Sequence, residues 1–182
     1  MLKIILFISI IFSSSSLLSL EVTLTQGSVK PTPIAITNLY AEEPSIEKIG
    51  KNISNVISDN LERSGLFESI NKKSFIQNNE SLSQSPRFED WKLIKAQHLV
   101  SGKISGSNGK ISVEFRLYDV FQQKQLVGKK YETNEKNWRR VAHIVSDSIF
   151  KNITGEGGYF DTRIVYVAET GQKDNKQKRL AI

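Results

Sequence analysis

Apolar and polar positions alternate along Glu21-Val22-Thr23-Leu24-Thr25, a period of two rich in β-branched residues, which predicts a short strand that Gly27 breaks. Pro33-Ile34-Ala35-Ile36-Thr37-Asn38-Leu39 is more evenly apolar and predicts a central strand, with Pro31 and Pro33 holding the connection extended. The period then changes. Ile46, Ile49, Ile53, Val56, Ile57 and Leu61 fall on one helical stripe that opens at Pro44, and Gly65 stands where a C-terminal cap belongs. Leu66–Ile70 returns as a short strand, and residues 71–86, rich in Asn, Ser, Gln and Lys, read as a polar loop. Ser85-Pro86 opens a shorter helix carrying Phe88, Trp91 and Ile94.

From His98 onward the pattern is that of a three-strand meander. His98–Ile104 is the first strand, and Ser107-Asn108-Gly109 is the turn, because Asn-Gly supplies the positive φ values a tight hairpin needs. In Lys110–Tyr118, Ile111, Val113, Phe115 and Leu117 share one face; a turn near Gln122-Gln123 leads to Gln125–Thr133. Asn137 caps a third long element, with Trp138, Val141, Ala142, Val145 and Ile149 on its buried stripe. Thr154-Gly155-Glu156-Gly157-Gly158 then ends the domain. Thr162–Ala168 and Arg179–Ile182 read as two strands around a polar turn, either the opening of a second, all-β domain or a hairpin folded back on the first. The fold class is α/β: a mixed β-sheet packed with about three helices.

Ahead of all this, Lys3 precedes the short apolar run Ile4–Phe12, followed by small residues at Ser13–Ser16. At about 1.5 Å per residue the run is too short for the roughly 30 Å hydrocarbon core. Residues 1–20 therefore read as a cleavable signal peptide, with a buried N-terminal helix as the other reading, and place the mature chain outside the cytoplasm. Of 182 residues, 38% are apolar, enough to build a core. Lys+Arg of 25 against Asp+Glu of 19 gives +6, a mild bias rather than a nucleic-acid signature. There is no cysteine, which removes disulfides, thiolate metal sites and a Cys nucleophile.

Candidate chemistry is sparse. Gly109-Lys110 does not sit in a P-loop, Gly155-Glu156-Gly157-Gly158 is not a dinucleotide fingerprint, and no Gly-x-Ser-x-Gly elbow exists. His98 reads as an edge or turn residue and His143 as a hydrogen-bonded structural one. The acid pairs Glu42-Glu43 and Glu89-Asp90 suit helix starts better than acid–base work. Lys173, Lys176, Lys178 and Arg179 read as a solvated turn. No catalytic, cofactor-binding or metal-binding residues are assigned and no cofactor is expected. A hydrolase or small-ligand binder using a helix–sheet groove, with His143 as its test residue, is the alternative, and a truncated remnant without full function is a third reading.

Eight local strings occur in a recognisable order: Pro33-Ile34-Ala35-Ile36, Ser64-Gly65-Leu66-Phe67, Asp90-Trp91, Leu99-Val100-Ser101-Gly102, Val113 to Val120, Asn137 to His143, Lys151 to Glu156 and Gly158 to Ile164. Together they closely resemble the TolB family, periplasmic proteins of the Tol–Pal envelope system. The resemblance implies a signal peptide over 1–20 and an N-terminal α/β domain over 21–158. It also implies a six-bladed β-propeller, of which residues 159–182 hold only the truncated start. It implies a non-enzymatic role in outer-membrane integrity and in envelope constriction during cell division. Two partners follow from it: the lipoprotein Pal, met mostly through the propeller, and the C-terminal domain of TolA, met through the extreme N-terminal segment. The residues matching that segment are Glu21, Val22, Thr23, Leu24, Thr25 and Gln26. Their alternating pattern suits addition to another sheet, with Val22 and Leu24 setting register; pairing within their own domain is the competing reading.

Overall fold

A computed structural model of the chain describes residues 30–163, 165–172 and 175–181. The expected signal segment and the strand expected at 21–25 lie outside the described residues.

Five strands form the main path of one sheet, in the order β3-β1-β4-β5-β6, with a short strand β2 joined to β4. β1 (Thr32–Ile36) runs parallel to both its neighbours, β3 (Phe67–Ser69) and β4 (His98–Ser107). Its Ile34, Ala35 and Ile36 are all buried, as three consecutive apolar residues in a strand covered on both faces must be. β2 (Tyr40–Ala41), which the sequence did not announce, extends the parallel pairing along β4 past the end of β1. β5 (Lys110–Asp119) and β6 (Lys124–Asn134) complete the expected antiparallel meander. Asn108 and Gly109 both take positive φ, 52° and 75°, which lets Ser107 and Lys110 close the β4–β5 hairpin directly. The β5–β6 ladder slips register between Leu117 and Tyr118, a bulge.

Helices cover both faces. Pro44 begins a 3₁₀ turn that continues into α1 (Glu47–Arg63), whose Gly50, Ile53, Ser54, Ile57, Asn60 and Leu61 turn inward. Gly65, at φ 73°, ends that helix, its N–H donating to the Glu62 carbonyl at 2.9 Å. The other long helix, α4 (Trp138–Thr154), packs beside α1 on the same face and ends on Gly155 at φ 80°. Asn137 stands at its N-cap position but its side chain makes no cap bond, and Trp138 is only half-buried. Between these helices and the sheet lies the main core, including Ile36, Ile53, Leu61, Phe67, Phe115 and Ile149.

The opposite face holds a smaller core of Ala35, Leu82, Trp91, Ala96, Leu99, Tyr118 and Val120. Here the polar stretch 71–86 is more ordered than its composition suggests. It contains a 3₁₀ turn at Lys72–Ser74 and the short helix α2 (Asn79–Gln84), started by Asn78, whose side chain accepts the Ser81 N–H at 2.9 Å. Helix α3 (Phe88–Leu93) follows, starting two residues beyond Pro86. Buried Gln77 ties the pieces together: its Oε1 accepts the Arg87 N–H at 2.8 Å and Trp91 Nε1–H at 3.2 Å, while its Nε2 donates to the Ser85 carbonyl at 2.8 Å. The described residues therefore hold four α-helices, where about three were expected. After α4, β7 (Tyr166–Thr170) and β8 (Gln177–Ala181) pair as a separate antiparallel hairpin.

Gly102 marks the tightest point of the sheet. A Cβ there would overlap the Glu114 carbonyl oxygen and meet Leu39 Cδ2 at 2.9 Å. Gly102→Ala is expected to lower unfolding stability by about 1–3 kcal/mol through overpacking against backbone. Gly65→Ala, which faces open space, should cost about 1 kcal/mol from its positive φ alone. Urea unfolding of the two variants measures the contrast.

Candidate functional site

The residues expected to meet a partner, Glu21, Val22, Thr23, Leu24, Thr25 and Gln26, lie outside the described residues. The described chain opens at Lys30 and Pro31, which lead into β1, whose Thr32 N–H donates to the Leu66 carbonyl at 2.8 Å.

Beyond α2 and α3 the second sheet face is polar and charged, with Ser101 buried and its neighbours half-buried. Ser101 lies opposite Arg116, Lys103 opposite Glu114, and Ser105 opposite Ser112. Lys103 Nζ reaches Glu42 at 3.0 Å and Glu114 at 3.9 Å. The hydrogen bond that Lys103 donates to Glu42, then the charge of Glu114, holds Lys103 above the ordinary lysine pKa. At the far end of this face a concavity of about 710 Å³ is lined by Glu43, Ser105, Asn108, Ser112 and Glu132 among others. No histidine lines it, so its serines have no imidazole base. Glu43 closes the local β4 edge, accepting the Gly106 N–H at 3.2 Å.

The two histidines are far from that concavity in role. His143, on α4, accepts at Nδ1 from Asn60 Nδ2 of α1 at 2.9 Å, which places its own proton on Nε2. Asn60 Nδ2 also donates to Ser146 Oγ at 2.9 Å, Arg63 donates to Asn60 Oδ1 at 3.0 Å, and Ser146 Oγ donates to the Ala142 carbonyl at 2.8 Å. His143 is therefore the hydrogen-bonded structural residue the sequence indicated, a bolt between the two long helices. His98 departs from expectation. It opens β4 in the interior of the sheet, paired with Ile34 on one side and Asp119 on the other, rather than at an edge. Its Nδ1 is buried without a hydrogen-bond partner among the described residues. Among the described residues no three His, Asp or Glu side chains converge as a metal site.

A second junction follows α4. Asp147 accepts the Phe160 N–H at 2.7 Å through Oδ1 and the Asp161 N–H at 3.0 Å through Oδ2. Phe150 meets Phe67, Tyr159 and Phe160 edge-on at 6.2, 5.6 and 5.8 Å. The chain is thus held to α4 before it reaches β7. The hairpin beyond exposes Val165, Tyr166, Val167 and Leu180, each more than half exposed. Of the basic turn, Lys176 and Lys178 pair with Glu169 at 2.9 and 3.0 Å; Lys173 lies outside the described residues.

A mixed sheet with a parallel βαβ half, an antiparallel meander, helices on both faces and a following hairpin defines a non-barrel α/β domain with attached β-structure. Residues 20–126 match the model of the TolB amino-terminal domain. The chain belongs to the TolB family. It is 49% identical over 163 residues to the Tol-Pal system protein TolB of Paramagnetospirillum magneticum, covering 89% of this chain and 36% of that protein. It also superposes on the crystal structure of TolB from Acinetobacter baumannii with a TM-score of 0.63 and 26% identity, over 76% of this chain and 32% of that one. The chain thus spans about a third of the length of these relatives. Among the described residues no helix is long and apolar enough to cross a membrane.

Burial lowers the pKa of both His98 and His143 below the ordinary 6.5; Asp119 opposes the shift at His98, while Arg139 adds to it at His143. The folded state therefore prefers both rings neutral. Their contribution to stability is complete above about pH 6.5 and is lost as the pH falls from there toward the folded-state values. Urea midpoints measured from about pH 7.5 to about pH 5.5 should decline, and the double variant H98Q/H143Q should show a shallower decline.

Proposed function

We propose that this chain is a protein-interaction component of the Tol–Pal system, acting outside the cytoplasm by binding and not by catalysis. One observation carries the reading: the TolB amino-terminal match begins at residue 20 and so takes in the whole segment Glu21–Gln26. That segment alternates Val22 and Leu24 with polar residues, the pattern by which an extended peptide adds to the edge of another sheet. Backbone hydrogen bonds supply affinity in such a pairing, and the alternate side chains fix register. The partner is the C-terminal domain of TolA. The role is in outer-membrane integrity and envelope constriction during division, with residues 1–20 directing export. Pal, in this reading, is met through propeller surface that residues 159–182 only begin.

The two histidines support binding over hydrolysis. His143 spends its free lone pair on Asn60, and the Nδ1 of His98 is buried, so neither of these nitrogens is placed to activate a serine or a water.

A purified TolA C-terminal domain should retain the chain on an affinity resin, and deletion of residues 21–26 should abolish retention without moving the thermal midpoint. A Val22→Asp/Leu24→Asp variant should behave like the deletion. Retention unchanged by either alteration would refute pairing through this segment.

A further inference from the structure

The two long helices, α1 and α4, meet through apolar side chains and through one polar cluster. Helix α1 contributes Asn60, which is 1% exposed, and Arg63; α4 contributes buried Ser146 and half-buried His143. Asn60 Nδ2 donates to His143 Nδ1 and to Ser146 Oγ, each at 2.9 Å, so one buried amide carries two hydrogen bonds across the helix pair.

Every direction in this cluster is fixed by a neighbour that has no alternative. A guanidinium only donates, so the atom that Arg63 reaches at 3.0 Å must be the oxygen of the Asn60 amide. Ser146 spends its one hydroxyl hydrogen on the Ala142 carbonyl at 2.8 Å, which leaves its Oγ to accept. Turning the Asn60 amide over would set N–H groups against the Arg63 guanidinium and strip Ser146 of its donor. The amide is therefore locked, and His143 Nδ1 has to accept. A proton added at Nδ1 would set N–H against N–H. The hydrogen bond to α1 is then abolished, not merely weakened, because neither partner can change role.

The charges around the ring give it somewhere else to go. Burial first, then Arg139 and Arg63, act against a cationic His143, while Asp161 and Asp147 act in its favour. Arg63 comes from α1, Arg139 lies one turn earlier on α4, Asp147 one turn later, and Asp161 on the chain that leaves α4. Asp161 also receives Arg140 Nε–H at 3.4 Å. A protonated ring is thus repelled at Asn60 and drawn along its own helix toward Asp147.

We propose that His143 is a proton-operated latch between α1 and α4, closed when the ring is neutral and opened by protonation at Nδ1. Opening is local, because Val141, Ala142, Val145 and Ile149 keep α4 packed on the sheet. Half-burial of the ring lets a proton arrive without unfolding of the domain. In acid the imidazole leaves its partner on α1 for the carboxylates of α4 and the segment beyond, so α4 loosens from the parallel half of the fold. The latch is independent of the N-terminal segment and of the TolA reading.

The test is an NMR titration of the full ¹⁵N-labelled chain from about pH 8 to about pH 5, with long-range ¹H–¹⁵N spectra of the imidazoles. At the alkaline end His143 should be the Nε2–H tautomer, and its midpoint should lie below 6.5. The Asn60 side-chain NH₂ signals should move with that same midpoint. Hydrogen exchange of the α4 amides around His143, corrected for intrinsic rate, should rise about fivefold more across the midpoint than exchange in β1 and β4, as for loss of one hydrogen bond. His143→Gln, which cannot titrate, should leave the Asn60 signals unmoved over the range. An Nδ1–H tautomer at the alkaline end, Asn60 signals that ignore the His143 midpoint, or equal acceleration of exchange in α4 and the core strands would each overturn the latch.

Discussion

Everything in this molecule follows from burying β1 on both faces. Ile34 and Ile36 point into the core under α1 and α4, while Ala35 points into the smaller core with Trp91 and Leu99. A parallel strand in this position cannot be joined to its neighbours by tight turns, so each connection must be a crossover, and each crossover supplies the cover for one face. The helix α1 comes first and takes one side. The broken segment with α2 and α3 takes the other, and Gln77 stands in for the regular backbone pairing that a longer helix would have had.

The antiparallel half obeys a looser rule. It needs only one apolar face, which α4 and the start of α1 cover, and its other face carries the half-buried charges Lys103, Glu114 and Arg116. Among the described residues the outer edge of β6 has no strand partner, and it carries exposed Lys124, Lys129 and Lys130 with a bulge near its start. Those are the devices that discourage one sheet from zipping onto another. The histidine–asparagine link between α1 and α4 joins the two halves, because α1 belongs to the parallel unit and α4 to the meander.

Much of this was legible in the residues. Strict alternation in Lys110–Leu117 and the Asn108-Gly109 turn specify the meander, and the apolar stripe from Ile46 to Leu61, closed by Gly65, specifies α1. The order Asn137–Ile149 gives α4 in the same way. What stayed hidden has a common cause. In α2 only Leu82 is buried among the described side chains, over fewer than two turns, so no period can show. β2 is two residues long and exists only because β4 outruns β1. His98 looked peripheral because its neighbours in sequence give no sign of the parallel strand beside it. The link from Lys72 to Asn38 and Asn55 was equally invisible: the three residues are separated in the chain and meet only through the crossing order of the strands.

Asp147 gives the far end of the domain a particular mechanics. Its two carboxylate oxygens grip the backbone at Phe160 and Asp161, and Gly158, where any side chain would collide with Asp147, lets the strand lie that close. Tension applied through the hairpin is therefore delivered to the middle of a 17-residue helix, and from there through the aromatic cluster to β3, instead of peeling the helix from its C-terminal end. The short glycine-rich stretch between the helix terminus and this clasp acts as slack that never comes under load while the clasp holds.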